Sequence, residues 1–446
     1  MATVPVDAPA ATLPVDGQLV VGKVARRLMW FVMALYFMAI MDRGNVSFAA
    51  LTMNKALGLT ASMFGIGIGI MFFFYSLFEV PSNLLLARIG ARLTLTRIAI
   101  LWGVATMLVA AATGPLSFFG LRALLGAAES GLFPGVMLYI AMWFPFAYRA
   151  RQNAMFNYAV PISYIFSSII SGYLLELDGV LGLAGWQWLF ILEGLPAIAL
   201  GVFGAFYLTD RPAQAKWLEP SERAWLEDAL AADAQTHAKV DDNHVLRALV
   251  NPIVLLMGVC NFGLFCGLAS LPYWLPQIIR TFHLPYGRVG LVTAIPPLAG
   301  LIGMVLLSRH SDLKRERFRH AAFTMLLAAA GFAFVAVAGT PTLIIIGFML
   351  ANIGVYATQA IFWTIPQSYL SRQIAPGAIG IIGMMGSIGG AVIPIVIGRL
   401  RDSTGSFTAG FLTVAVVFIV ASVVLTGTSF RVHPARTVGD TVSRTT

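Results

Sequence analysis

Six side chains able to carry charge or donate a hydroxyl stand inside otherwise apolar stretches: Asp42, Arg43, Tyr75, Glu79, Arg122 and Glu129. A charge at the centre of a long apolar run costs about 2.5 to more than 10 kcal/mol in a bilayer, and so marks a functional position by default. Asp42 and Arg43 are adjacent and project about 100° apart on a helix, so they need not pair with each other. Asp42 can then exchange a proton while Arg43 faces a central cavity. A guanidinium stays charged in low-dielectric surroundings and holds a carboxylate through two bonds, which makes Arg43 and Arg122 anion-binding candidates. The structural alternative is an internal ion pair that fixes helix packing. Glu129 follows Arg122 by seven residues, on the same helical face two turns on. A partly desolvated carboxylate can change protonation near neutral pH, so Asp42 and Glu129 are the proton-coupling candidates. Arg122 then either holds substrate or neutralises the buried acid. Tyr75 and Glu79, four apart, share a face. The Tyr75 hydroxyl can donate to a bound carboxylate. Glu79, ahead of Val80 and Pro81 where a helix irregularity is expected, is a second proton site or a structural partner. Glu193, near the end of its apolar run, is read as structural.

These residues need long apolar elements to hold them. Of 446 residues, 58% are hydrophobic and 11% charged, with a mean hydropathy of +0.82. Soluble chains are about 25% charged, and a lipid-facing surface removes the need for that charge. Twelve apolar runs appear, at 28–50, 62–86, 93–113, 115–141, 153–176, 187–208, 250–279, 286–308, 320–339, 341–370, 376–399 and 407–430. Each is long enough to span a bilayer, for which about 20 residues suffice. The chain is therefore read as an all-α integral membrane protein with a tail at 1–27, six helices over 28–208, and a linker with an amphipathic helix over 209–249. Six more helices over 250–430 and a tail at 431–446 complete it. Two pseudo-symmetric halves with a site between them are a common transporter plan.

Net charge is +9, but the basic residues cluster between apolar runs and trace no continuous face, so nucleic acid is not an expected partner. Of 29 Lys and Arg, 22 fall on the side that holds both termini and the linker, five on the other side, and two, Arg43 and Arg122, inside spans. That bias places both termini in the cytoplasm of a bacterium, with the chain in the inner membrane. Cys260 and Cys266 point in different directions on one helix and are not expected to pair. The six histidines are scattered, which argues against a membrane enzyme and a metal site. Gly65, Gly67 and Gly69 lie within a span and not after a strand, so they serve helix packing and not nucleotide binding. No Walker motif is present, so a proton gradient is the expected energy source and no cofactor is expected.

Several segments in order resemble one family: Met41 to Asn45; Tyr75 to Asn83; Arg122; Glu129 to Gly135; Trp143, Phe144 and Pro145; Trp186 to Gly194; and Arg309 to Asp312. Over about residues 24–430 the chain resembles the anion:cation symporters of the major facilitator superfamily, which include galactonate, glucarate, tartrate, phthalate and hydroxyphenylacetate carriers. The resemblance implies the twelve-helix major facilitator fold, a proton-linked acid at Glu129 and a substrate-pocket tyrosine at Tyr75. It also implies a cytoplasmic gate built from Arg88, Arg92, Arg309 and Asp312. Departures are Asn83 and Ala87, where the superfamily usually has Gly and Asp, and the stretch Gly383 to Gly390, where relatives often carry two asparagines.

The resulting expectation is a monomeric secondary transporter that imports a small organic anion with protons. A facilitator or exporter on the same fold is the alternative. The second half carries no acid within its spans, so it is read as shaping the substrate, with Trp363 and Asn261 as pocket candidates. The aromatic residues and the missing span-11 asparagines lean towards an aromatic or lightly hydroxylated carboxylate.

Overall fold

The computed structural model describes residues 16–236, 250–369 and 375–430. Most of the expected N-terminal tail, the end of the linker and the C-terminal tail lie outside the described residues. Among the described residues, twelve helices are long and apolar enough to cross a bilayer. They are span 1 (Gly17–Leu57), span 2 (Ala61–Leu86), span 3 (Ala91–Val109), span 4 (Pro115–Trp143), span 5 (Met155–Leu177) and span 6 (Gly185–Tyr207). After the linker come span 7 (Pro252–Arg280), span 8 (Tyr286–Lys314), span 9 (Phe318–Val337), span 10 (Pro341–Pro366), span 11 (Gly377–Thr404) and span 12 (Thr408–Ser429). The protein is all-helical and multi-pass, as its apolar runs imply.

One expected boundary moves. The first helix begins at Gly17, so residues 17–27 are helix and not tail. Asp16 caps it by accepting from the Gln18 backbone N–H at 2.8 Å, and Val20, Val21 and Val24 are buried. The extension docks on the linker helix Pro220–Thr236, where Lys23 Nζ lies 2.7 Å from Glu222 Oε2. That helix buries Leu226, and Trp217 just before it stacks on Trp143 with ring centroids 5.6 Å apart. The described linker helix thus lays Trp225, Leu226 and Leu230 on the core of the first half.

Four spans are interrupted, and proline explains each interruption. A proline lacks an N–H and its ring clashes with the carbonyl four residues earlier. The helices of spans 4, 5, 8 and 10 break at Ser130, Tyr158, Ala294 and Trp363, three or four residues before Pro134, Pro161, Pro297 and Pro366. In span 4 the break is completed by Gly131, whose φ of 82° favours glycine. Glu129 is the last residue before this break, and Trp363 stands at the matching break of span 10. The irregularity expected beside Glu79 is absent: span 2 runs as helix through Pro81.

The halves close on each other at the side opposite the basic loops. Asp402, ending span 11, accepts from the backbone N–H groups of Ala61 and Ser62, which begin span 2, at 3.1 and 2.8 Å. Glu176, ending span 5, accepts from the Gly287 N–H at the start of span 8, at 3.0 Å. Helix N-termini carry unsatisfied amides and partial positive charge, so a carboxylate there is favourable. Small residues bring the backbones together. A side chain at Gly172 would meet the Tyr286 carbonyl, and one at Gly69 the Ala391 carbonyl. Gly65 faces Pro394 in the same way, whereas Gly67 faces Phe118 of span 4. The glycine-rich stretch of span 2 is thus a packing surface, as read from the sequence.

Gly126, between Arg122 and Glu129, lets span 4 press against the backbone of span 2 at Met71. Gly126→Leu is expected to push the spans apart and cost about 1–3 kcal/mol, seen as a lower midpoint of thermal unfolding in detergent.

Candidate functional site

Span 1 passes the middle of the molecule with every residue from Ala39 to Ala50 buried except Arg43. Arg43 therefore faces open space at mid-depth, with 18% of its side chain exposed. Its Nη2 and Nε lie 2.6 and 2.8 Å from Glu129 Oε1 on span 4. Glu129 is fully buried, and its Oε2 has no hydrogen-bond partner among the described residues. The guanidinium also sits 5.0 Å from the centroid of the Tyr75 ring and 5.9 Å from that of Phe72, both on span 2. Arginine over an aromatic face is a cation–π arrangement, which steadies the group without using its N–H donors.

This bears on the two alternatives for Arg122. Glu129 is neutralised by Arg43 and not by Arg122. Two turns along one helix separate Arg122 from Glu129 by about 10 Å, and the Arg122 side chain instead crosses to span 2, where Nη2 lies 2.8 Å from Met71 Sδ. Arg122 is fully buried, and its Nε and Nη1 have no partner among the described residues. A thioether is a weak acceptor. Arg122 therefore presents a charged fork with most of its donors unused, within electrostatic reach of Tyr273 on span 7, from the other half.

Asp42 turns away from the open side of Arg43 into the first six-helix half. It is 2% exposed, and its Oδ1 accepts from Asn45 Nδ2 at 2.8 Å. Glu193, read from sequence as a structural group near the membrane interface, is 2% exposed inside the same half and accepts from Ser171 Oγ at 2.7 Å. It is thus a buried acid packed inside the bundle, not a water-facing one. Glu79 is half-buried and within electrostatic reach of Arg43.

In the second half, Trp363 is half-buried at the span 10 break and packs edge-on against Phe362, with centroids 5.7 Å apart. Asn261 has a structural partner: its Nδ2 donates to the Ile382 carbonyl of span 11 at 2.8 Å. The glycines that stand near the expected asparagines explain this contact. A side chain at Gly386 would collide with Asn261 Nδ2, and one at Gly389 with the Phe262 carbonyl. That stretch is a close helix contact, a role its sequence signals only through small residues.

The expected gate residues do not join the halves. Arg88 and Arg309 are exposed. The Arg92 backbone N–H donates to Asp210 Oδ1 at 2.8 Å within the first half, and Asp312 pairs with Arg317 inside its own loop. These contacts fit a molecule closed at the opposite end. Sequence reasoning also missed a small cavity of about 20 Å³ between spans 1, 5, 7, 8 and 10, whose polar lining includes Ser47, Tyr164, Ser168, Thr293, Asn352 and Tyr356. Single hydroxyls and amides in apolar runs carry little signal on their own.

With this geometry in hand, the chain can be compared with known proteins. The family described as Major Facilitator Superfamily matches over residues 32–394. A protein of Agrobacterium vitis named "Putative tartrate transporter" is 44% identical over 405 residues, which cover 91% of this chain and 93% of that protein. A quinolone resistance transporter of Acinetobacter baumannii is 35% identical over 402 residues, covering 90% of this chain and 93% of its own. Among solved structures, a bacterial homologue of the human lysosomal transporter Spinster, inward-facing and unoccupied, aligns over 93% of this chain and 97% of its own. The TM-score is 0.73 at 15% identity, a likeness of fold alone.

Arg122 tests whether the spare fork is functional. Arg122→Met keeps the length of the side chain and removes a buried charge that has no carboxylate partner in the described structure. It is expected to leave thermal stability equal or higher. A charge-assisted hydrogen bond contributes about 1.5–3 kcal/mol, so the substitution should also weaken carboxylate binding more than tenfold. A thermal-shift titration with a panel of carboxylates reads both effects.

Proposed function

The chain belongs to the major facilitator superfamily, and from that premise we propose that it imports a tartrate-like dicarboxylate with protons, by alternating access, across the bacterial inner membrane. The observation that carries this reading is the Arg43–Glu129 pair, in which a buried acid and a cavity-facing guanidinium share one contact at 2.6 Å. A substrate carboxylate arriving in the cavity competes with Glu129 for Arg43. Once it wins, Glu129 is left buried without a cation, and uptake of a proton is the least costly way to neutralise it. When substrate leaves on the other side, Arg43 returns to Glu129 and the proton is released there. Substrate and proton therefore move in the same direction.

A second carboxylate is matched by Arg122, whose unused donors suit a dianion better than a monoanion. The names of the relatives replace the lean towards an aromatic acid with one towards tartrate. The side bearing 22 of the 29 basic residues faces the cytoplasm, which places both termini there. Tyr75 and Trp363 flank the anion, and the carrier works as a monomer powered by the proton gradient alone.

The quinolone resistance relative favours a second reading, an exporter on the same fold, and one experiment separates the two. In proteoliposomes, an inward-directed proton gradient is expected to drive tartrate accumulation. Glu129→Gln, which cannot release a proton, should abolish that accumulation while tartrate exchange at zero gradient persists. Wild-type flux indifferent to the pH gradient would overturn proton symport, and proton-driven tartrate exit would favour the exporter.

A further inference from the structure

Where the apolar part of span 1 begins, it runs beside the end of span 6, and the start of the linker adjoins the junction. The Trp30 Nε1–H donates to the Tyr207 hydroxyl at 2.8 Å, and that hydroxyl donates to the Arg27 backbone carbonyl at 2.7 Å. The Tyr207 ring stacks on Phe203, with centroids 5.0 Å apart, and meets Trp30 edge-on at 5.2 Å. The Arg27 guanidinium lies over the same tyrosine ring, 4.1 Å from its centroid, and 6.0 Å from the ring of Trp217 in the linker. Arg26 and Arg27 are both exposed, and neither meets a carboxylate among the described residues. Glu222 is taken by Lys23, one turn before Arg27, and Asp210, just after span 6, is taken by Arg92. Trp30, Phe203 and Phe206 leave apolar faces exposed around the junction.

Arginine and tryptophan at a helix end often serve only as interfacial anchors. Such an anchor is loose, and this one is not. The Tyr207 ring steadies the guanidinium from one side and leaves its N–H donors free. The Tyr207 hydroxyl fixes the backbone that carries it. Much of the freedom that an arginine loses on binding is therefore already given up. A planar fork with free donors at the bilayer boundary matches a phosphate through two bonds. We propose that this junction binds an anionic phospholipid, with its phosphate held by Arg27, its charge also met by Arg26, and an acyl chain lying along Trp30, Phe203 and Phe206. Two uncompensated guanidinium groups favour a headgroup of net negative charge over a zwitterionic one, whose own cation they repel. Free phosphate would use the fork but not the aromatic faces, whereas a lipid uses both. The bound lipid joins span 1, span 6 and the linker, and so stabilises the first half.

Binding of this lipid needs neither substrate nor protons, so its test is separate from that of transport. Purified protein stripped of lipid in neutral detergent is titrated with phosphatidylglycerol, phosphatidylcholine or inorganic phosphate. Native mass spectrometry is expected to show a tightly held phosphatidylglycerol, and the midpoint of thermal unfolding is expected to rise with that lipid alone. Arg27→Gln should weaken binding by more than about tenfold, since charge-assisted hydrogen bonds are lost. Arg26→Gln should weaken it by about fivefold. Tyr207→Phe keeps the ring but frees the Arg27 backbone, and should weaken binding by about threefold. Arg319→Gln removes an exposed arginine at the start of span 9 and should leave binding unchanged. Should Arg27→Gln not fold, Arg26→Gln carries the comparison with Arg319→Gln. Equal stabilisation by phosphatidylcholine or by inorganic phosphate, or an equal loss in the Arg27 or Arg26 variant and the Arg319 variant, would overturn the proposal.

Discussion

A guanidinium and a carboxylate from helices 86 residues apart in sequence meet at mid-membrane, and much of the molecule serves to keep them there. Neither charge is tolerable alone in so dry a place. Removing one partner of such a buried pair typically costs 3–5 kcal/mol, because the other is left uncompensated. The pair is therefore stable at rest but open to exchange, since any anion able to replace Glu129 meets the same need. Arg43 keeps enough exposure to be approached, while Glu129 keeps none. That asymmetry makes the contact replaceable from the cavity side only. The Tyr75 ring under the guanidinium holds its position when the partner changes.

The bilayer dictates how such a site can be mounted. Helices satisfy their own backbone groups, so apolar spans need no other support, but an unbroken helix offers only side chains to a ligand. Proline resolves this by freeing a carbonyl at a defined depth. The interrupted spans 4 and 10 occupy corresponding places in the two halves, and each break carries a site candidate, Glu129 in one and Trp363 in the other. Glycine does the complementary work, with Gly126 and Gly386 letting neighbouring backbones or side chains approach where any larger residue would hold them off.

The sequence made some of this legible and hid the rest for physical reasons. Twelve spans show because an apolar run of about 20 residues has few other uses. Asp42, Arg43, Arg122 and Glu129 show because charge inside such runs is rare. Their partners do not show, since which face of span 1 meets which face of span 4 is set by packing between distant segments. The alternative in which Arg122 neutralises Glu129 relied on neighbours along one helix, and the partner of Glu129 came from another helix. Pro81 and Pro134 look equivalent in sequence, but only the second breaks its helix, helped by the adjacent Gly131. Glu193 was placed at an interface because position along a run shows depth but not which face of the helix is covered by a neighbouring span, and Ser171 of span 5 covers this one.

The carboxylates that fasten the closed end have a consequence for how this surface can change. Asp402 and Glu176 each grip the main chain of the facing half, one from span 11 onto span 2 and the other from span 5 onto span 8. These two pairings exchange places under the pseudo-twofold relation between the halves. Since the receiving groups are amides, almost any residue at positions 61 and 62 can supply them, whereas a side chain at Gly287 would meet Glu176 Oε1 itself. Substitution can therefore loosen the Asp402 clasp from the acid's side alone but the Glu176 clasp from either side, so evolution has unequal control over two fastenings that the pseudo-twofold relation makes equivalent.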